Sequence, residues 1–301
     1  MHVDLPTGIR IEYEAAGPVA APAIVLIMGL GMQLTAWPAA LIEGLLARGF
    51  RVVRFDNRDA GLSTRFTSAR RIDLRAAGVR AMLGMSVDPP YTLDDMADDT
   101  TGLMDALGIA RAHVVGASMG GMIGQVLAAR RADRVMSLVS IMSTSGALRF
   151  SFHWTPATRA MFEPPPRGAS EEQLVDHLER VWLLIGSPEL QPPRDVLRQR
   201  LRSSLRRAFH PAGVARQMLA IMASGDRRRL LRTIGVPTLV LHGSRDPLVP
   251  IAAGRDTAAH VPGADFREIQ AMGHDLPDAL VPRLVDEIAT HCLRAGAPAA
   301  T

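Results

Sequence analysis

Gly116-Ala117-Ser118-Met119-Gly120 places small residues two positions before and two positions after a serine. The apolar run H-V-V-G-A leads straight into Ser118, and a helix pattern follows from about Met119 to Arg130. A serine on so sharp a strand-to-helix turn is forced into a strained backbone, and bulky flanking residues would collide. Gly116, Gly120 and Gly121 leave the room. The helix also aims the positive end of its dipole at the site, where it favours a developing oxyanion. An incidental serine in a glycine-rich turn is the plain alternative; the strand–turn–helix context favours Ser118 as a nucleophile.

A serine hydroxyl needs a base, and the base needs an orienting carboxylate. Two late turns supply them. The strand pattern T-L-V-L-H-G runs into S-R-D-P-L-V-P, which puts Asp246 just past a strand's carboxyl end. The pattern F-R-E-I-Q runs into A-M-G-H-D, which puts His274 just past the next. Parallel strands bring these ends to the edge that holds Ser118, and the order Ser…Asp…His is that of the α/β-hydrolase triad. Asp246 could instead cap the helix near Pro250, and Asp275 is a rival orienter, but it is too close in sequence to reach its neighbour's ring easily. Of the other histidines, His113 and His242 read as satisfied core groups; His2, His153, His177, His210, His260 and His291 have no motif context.

An oxyanion needs backbone donors. Met119, the residue after the serine, should give one N–H, and the loop Met28-Gly29-Leu30-Gly31 the second, from Leu30. Glycines there let the backbone approach a substrate carbonyl closely.

The elements that must position these groups alternate strand and helix, which predicts a mostly parallel sheet covered on both faces. I-V-L-I-M (24–28) reads as a buried strand. A helix should open near Pro38, bury Leu41, Ile42, Leu45 and Leu46, and stop at Gly49. R-V-V-R-F follows as a strand; Thr92 with Asp95 marks a capping box for a helix to about Leu107. R-V-M-S-L-V-S is a further strand, 251–260 a helix, and 278–293 the closing helix, after which the tail should fray. From about Gly146 to Leu231 strand patterns vanish and arginine-rich helical segments dominate. The expected architecture is therefore a core of residues 1–145 and 232–301, with a helical lid at 146–231 between the sixth and seventh strands, over the carboxyl edge where open α/β sheets bind ligands.

With 301 residues, 48% hydrophobic and 21% charged, the composition is that of a globular enzyme able to bury a sizeable core. The single cysteine, Cys292, can form no internal disulfide, and no secretory signal is visible; both fit a cytoplasmic protein. Residues 15–42 carry no charge, but Pro18, Pro22, Gly29, Gly31 and Pro38 interrupt them, which argues against a membrane span. All 34 basic residues are arginine, for a net charge of only +4. The run Arg194, Arg198, Arg200, Arg202, Arg206, Arg207 and 227–229 could attract anionic lipid or nucleic acid, but a solvated helix face is the favoured reading. Phe150, Phe152, Trp154, Phe162 and Trp182 either line a substrate pocket or pack the lid. No metal-binding spacing, phosphate loop or dinucleotide fingerprint is present, so neither metal nor cofactor is expected.

Taken together, the M-G-L-G loop, the block R-F-D-N-R-D-A-G-L-S, the elbow G-A-S-M-G-G and the D-P and G-H turns resemble α/β-hydrolase fold esterases along the whole chain. The wording of the block is similar to carboxylesterases of the aclacinomycin methylesterase-like group. The resemblance implies that Asp56, Arg58, Gly61 and Ser63 form a structural loop beside the site, without catalysis. Met28 departs from the family, standing where most relatives have histidine. The function expected is cleavage of small-molecule carboxylic esters through an acyl-enzyme on Ser118. Cofactor-free perhydrolase or haloperoxidase-like chemistry, carbon–carbon bond hydrolysis and a non-catalytic ligand receptor are the alternatives on this scaffold. The sequence leaves oligomeric state open.

Overall fold

Among the described residues eight short strands form one sheet: β1 (His2–Asp4), β2 (Arg10–Ala16), β3 (Ala23–Ile27), β4 (Arg51–Phe55), β5 (Ala112–Ala117), β6 (Val135–Ile141), β7 (Thr238–Gly243) and β8 (Asp265–Ile269). Their spatial order is β1-β2-β4-β3-β5-β6-β7-β8. β1, β2 and β4 pair antiparallel, and every pairing from β4 to β8 is parallel. The computed structural model describes residues 1–67, 72–151, 155–166 and 168–296.

β3, β5 and β7 are buried at every position, as strands covered on both faces must be. The pleat sends alternate residues to opposite cores. Val25 and Ile27 of β3 join a cluster with α3 (Leu93–Ala106) and α4 (Met119–Arg130), through Met96, Leu103, Ile123 and Leu127. Ile24 and Leu26 join the other, with Leu41 and Leu45 of α1 (Ala39–Ala47) and Leu284, Val285 and Ile288 of α12 (Val281–Gly296).

The sequence patterns correspond closely to these elements. Leu41 and Leu45 are fully buried, Ile42 and Leu46 partly. The capping box at Thr92 and Asp95 forms in both directions. The closing helix begins later than expected, because Asp278–Leu280 winds as a 3-10 turn first. One helix was not anticipated. α2 (Leu74–Met82), capped by Asp73, buries only Ala77 and so leaves no apolar stripe to read.

Among the described residues between β6 and β7 the regular elements are helices: α5 (Leu148–Ser151), α6 (Pro156–Phe162), α7 (Glu171–Ile185), α8 (Arg194–Arg207), α9 (Pro211–Ser224) and α10 (Arg228–Leu231). α11 (Ile251–His260) then packs on β7. Among the described residues no helix is long and apolar enough to cross a membrane. Phe152, Trp154 and His153 lie outside the described residues, as do the last five of the tail. Phe150 carries the Arg149 guanidinium over its ring at 4.7 Å.

Candidate active site

Ser118 stands between the end of β5 and the first turn of α4 with φ 54° and ψ −117°, the strained elbow that its flanking glycines predict. The space around it is closed. A Cβ on Gly116 would lie 2.1 Å from the Gly120 carbonyl oxygen, and one on Gly120 would lie 1.9 Å from that of Ile27. Neither position accepts a side chain. The Ser118 N–H donates to Ile141 O at 2.9 Å and its carbonyl accepts from Ser143 Oγ at 2.8 Å, which ties the elbow to the end of β6.

The three side chains far apart in sequence meet at this edge. Ser118 Oγ lies 3.0 Å from His274 Nε2, and His274 Nδ1 lies 2.8 Å from Asp246 Oδ2. With Nδ1 donating to the carboxylate, Nε2 is left to accept the serine proton. The other oxygen of Asp246 accepts from the N–H groups of Leu248 and Val249, at 2.9 and 2.8 Å. Burial alone would raise this carboxyl's pKa. The charge of His274 and hydrogen bonds from His242 and His274 outweigh it and bring it down to about 2. Asp246 therefore stays ionised in ordinary buffers, as an orienting carboxylate should.

Asp275 is committed elsewhere. Its Oδ1 accepts from the Ser187 N–H at 3.0 Å and from the Ser187 hydroxyl, in the loop after α7. Ser187 Oγ also accepts from Gly273 N–H at 2.8 Å, and Ile185 O accepts from His274 N–H at 2.8 Å. The helical insert thus grips the backbone of the histidine turn. His113 is a satisfied core group, 2.9 Å from Ser137 Oγ. His242 corrects its sequence reading: Nε2 donates to Val249 O at 2.9 Å and faces Asp246 Oδ2 at 3.5 Å, while the buried Nδ1 has no partner among the described residues.

The loop after β3 lies against the serine: a Cβ on Gly29 would be 3.2 Å from Ser118 Cβ. Among the described residues, the N–H groups of Leu30 and Met119 are without a hydrogen-bond partner. Gly31 has φ +66°, a conformation that favours glycine. The block after β4 braces this loop. Asn57 Nδ2 donates to Met28 O at 2.9 Å, and Asp56 Oδ1 accepts from Leu34 N–H at 2.7 Å. Gly61 leaves room for Asp56, Ser63 Oγ donates to Asp56 O, and Arg58 forks onto buried Asp99 at 2.6 and 2.7 Å.

Sequence patterns alone did not find Asn57, Ser187, Gln217 or the second contact of His242. None sits in a motif that marks its partner, and Asn57, Ser187 and Gln217 each act on a loop distant in the chain.

Three relatives frame this geometry. A rhodomycin D methylesterase from Streptomyces sp. (strain C5) is 29% identical over 306 residues, covering 94% of this chain and 95% of its own. A 3-oxoadipate enol-lactonase from Acinetobacter baylyi is 27% identical, covering 88% and 86%. The crystal structure of the enol-lactonase from Burkholderia xenovorans LB400 superposes with a TM-score of 0.71 at 27% identity, covering 98% of this chain and 99% of that one. The family model for the alpha/beta hydrolase fold matches residues 22–278, and the chain belongs to that family.

Proposed function

We propose that the protein is a carboxylic-ester hydrolase that works by acyl transfer through Ser118, His274 and Asp246. The observation that carries the reading is the unbroken hydrogen-bonded series from Ser118 Oγ through the imidazole to the Asp246 carboxylate. Ser118 attacks the ester carbonyl as His274 takes its proton, and Asp246 holds the ring in the required tautomer. The carbonyl oxygen becomes an oxyanion, received by the unpartnered N–H groups of Leu30 and Met119. The C–O bond breaks, the alcohol leaves with the proton from His274, and water repeats the sequence on the acyl-enzyme. The insert at 146–231 acts as a lid over this edge, and its grip on the histidine turn supports that role.

The methylesterase relative supports small-molecule esters as substrates. Lactones are a second reading, favoured by the two enol-lactonase relatives. A cyclic ester opens by the same acyl-transfer chemistry, with its alcohol still tethered. A panel of methyl esters, p-nitrophenyl esters and lactones separates the two. Ser118→Ala is expected to lower turnover on the preferred class by about four to six orders of magnitude. Near-normal turnover by that folded variant would end the proposal.

A further inference from the structure

Gln217, on α9 of the insert, is fully buried and joins two core loops. Its Oε1 accepts from the Gly31 N–H at 2.7 Å, and its Nε2 donates to the Arg58 carbonyl at 2.7 Å. The amide can sit only one way round, because reversing it would set N–H against N–H and oxygen against oxygen. We propose that Gln217 is a positioning residue for the oxyanion hole, one that fixes the donor loop from inside the helical insert. The inference rests on the esterase reading and adds to it a dependence of the transition-state site on α9.

The loop after β3 presents two successive N–H groups, Leu30 and Gly31. Gln217 takes the second, and the first has no hydrogen-bond partner among the described residues. With Gly31 N–H committed, the left-handed turn at φ +66° is held, and with it the plane of the preceding peptide. Asn57 secures the other end through Met28 O. The side of Gly31 is pressed by the same helix: a Cβ there would lie 2.8 Å from Val214 Cγ2. Removing the amide therefore frees the end of the loop nearest Leu30 and leaves the Asn57 end in place. An ester carbonyl is bound weakly by such a donor before reaction and strongly once it carries charge, so the loss should fall on the transition state.

Two variants test this, Gln217→Met, which keeps the volume, and Gln217→Ala. Titration with an organophosphonate counts active sites, so kcat is expressed per competent molecule even where part of the preparation is unfolded. Both should lower kcat about 10- to 100-fold with KM within about twofold, since a misplacement near 1 Å can cost this much. Affinity for a trifluoromethyl ketone, which forms an oxyanion on the enzyme, should fall by the same factor as kcat/KM. A per-site kcat within twofold of the parent would overturn the proposal. So would a loss confined to KM, or a ketone affinity that does not follow the rate. If Ser118→Ala remains active, the esterase reading itself fails; if Ser118→Ala is inactive and the Gln217 variants are normal, only this inference fails.

Discussion

The insert uses one chemistry, arginine against carboxylate, in two settings. Along α7 and α8 the pairs form a zipper near water. Arg194 meets Glu179 at 2.5 Å, Arg198 meets Glu172 and Asp176 at 2.7 Å, Arg202 meets Glu172 at 2.9 Å, and Arg206 meets Glu171 at 2.8 Å. At the core the carboxylates are buried. Arg216 of α9 forks onto Asp59 at 2.7 and 2.9 Å with both side chains almost inaccessible, and Arg207 reaches the fully buried Asp56 at 2.7 Å. Most of the first set is open to solvent, with Glu179 the exception, whereas the carboxylates of the second are fully buried, so similar distances imply different consequences. These pairs fix where α8 and α9 stand against the block after β4, which in turn braces the loop that carries Met28 and Leu30. The zipper decides only how α7 lies on α8.

The sharpest way to break this contrast is Arg216→Met. Asp59 would keep the hydroxyl of Tyr91 and the Phe66 N–H, at 2.8 Å each, and the His210 ring at 3.3 Å, but its charge would lose its arginine counter-ion in a closed site. Removing one partner of a buried pair costs about 3–5 kcal/mol, to be read from urea unfolding. Adding Asp59→Asn should recover part of that loss, since the charge goes and asparagine tolerates the positive φ of 65° at this position. A cost no larger than that of a surface arginine would erase the distinction.

Much of the candidate site was legible in the sequence, for local reasons. The elbow needs glycine at 116 and 120 because backbone atoms lie about 2 Å from the missing Cβ positions, and such steric demands write themselves into the chain. Asp246 and His274 could be placed beside Ser118 because strand ends in a parallel sheet share an edge. The zipper was half legible: arginines at 194, 198, 202 and 206 recur every four residues, which marks one helix face. Their partners on α7 were not. The Arg216–Asp59 and Gln217–Gly31 links span 157 and 186 residues, and an arginine or glutamine in a patternless helix does not announce a distant partner. The solvated-face reading of the arginines holds for most of α8 but not for Arg207, which reaches Asp56, nor for Arg227, which is buried and donates to the Thr144 carbonyl at 2.7 Å.

Acid should separate the two settings next. Burial on its own would raise the Asp59 carboxyl, yet the hydrogen bonds from Arg216, Phe66 and Tyr91 hold it below its ordinary value, and Asp246 is brought to about 2. A carboxyl lowered on folding contributes stability above its unfolded pKa and loses it as pH falls through the folded one. The window is therefore about pH 4 down to about pH 2, and Asp246 alone accounts for about 2 kcal/mol of it. Because these groups are sealed, the loss across that window should persist in about 1 M salt, where exposed pairs are screened. Fluorescence-monitored urea titrations at each pH, with and without salt, measure it. A loss that salt abolishes would assign it to surface charge instead.

The smallest effect belongs to the zipper, and its smallness is the point. Arg206 and Glu171 are exposed, and their long side chains give up rotamer freedom to meet in a medium that already solvates both charges. Arg206→Gln should leave the thermal midpoint unchanged within error, and activity with it, because Arg206 touches neither the loop after β3 nor the histidine turn. Arg198 is the stricter case, since it faces three carboxylates and is only 16% exposed in its side chain. Arg198→Gln should show a small loss that shrinks as salt is added, whereas the Arg216→Met loss should not shrink. If the two losses responded to salt alike, burial would not be what separates the halves of the insert, and the rigid seating of α9 would need another cause.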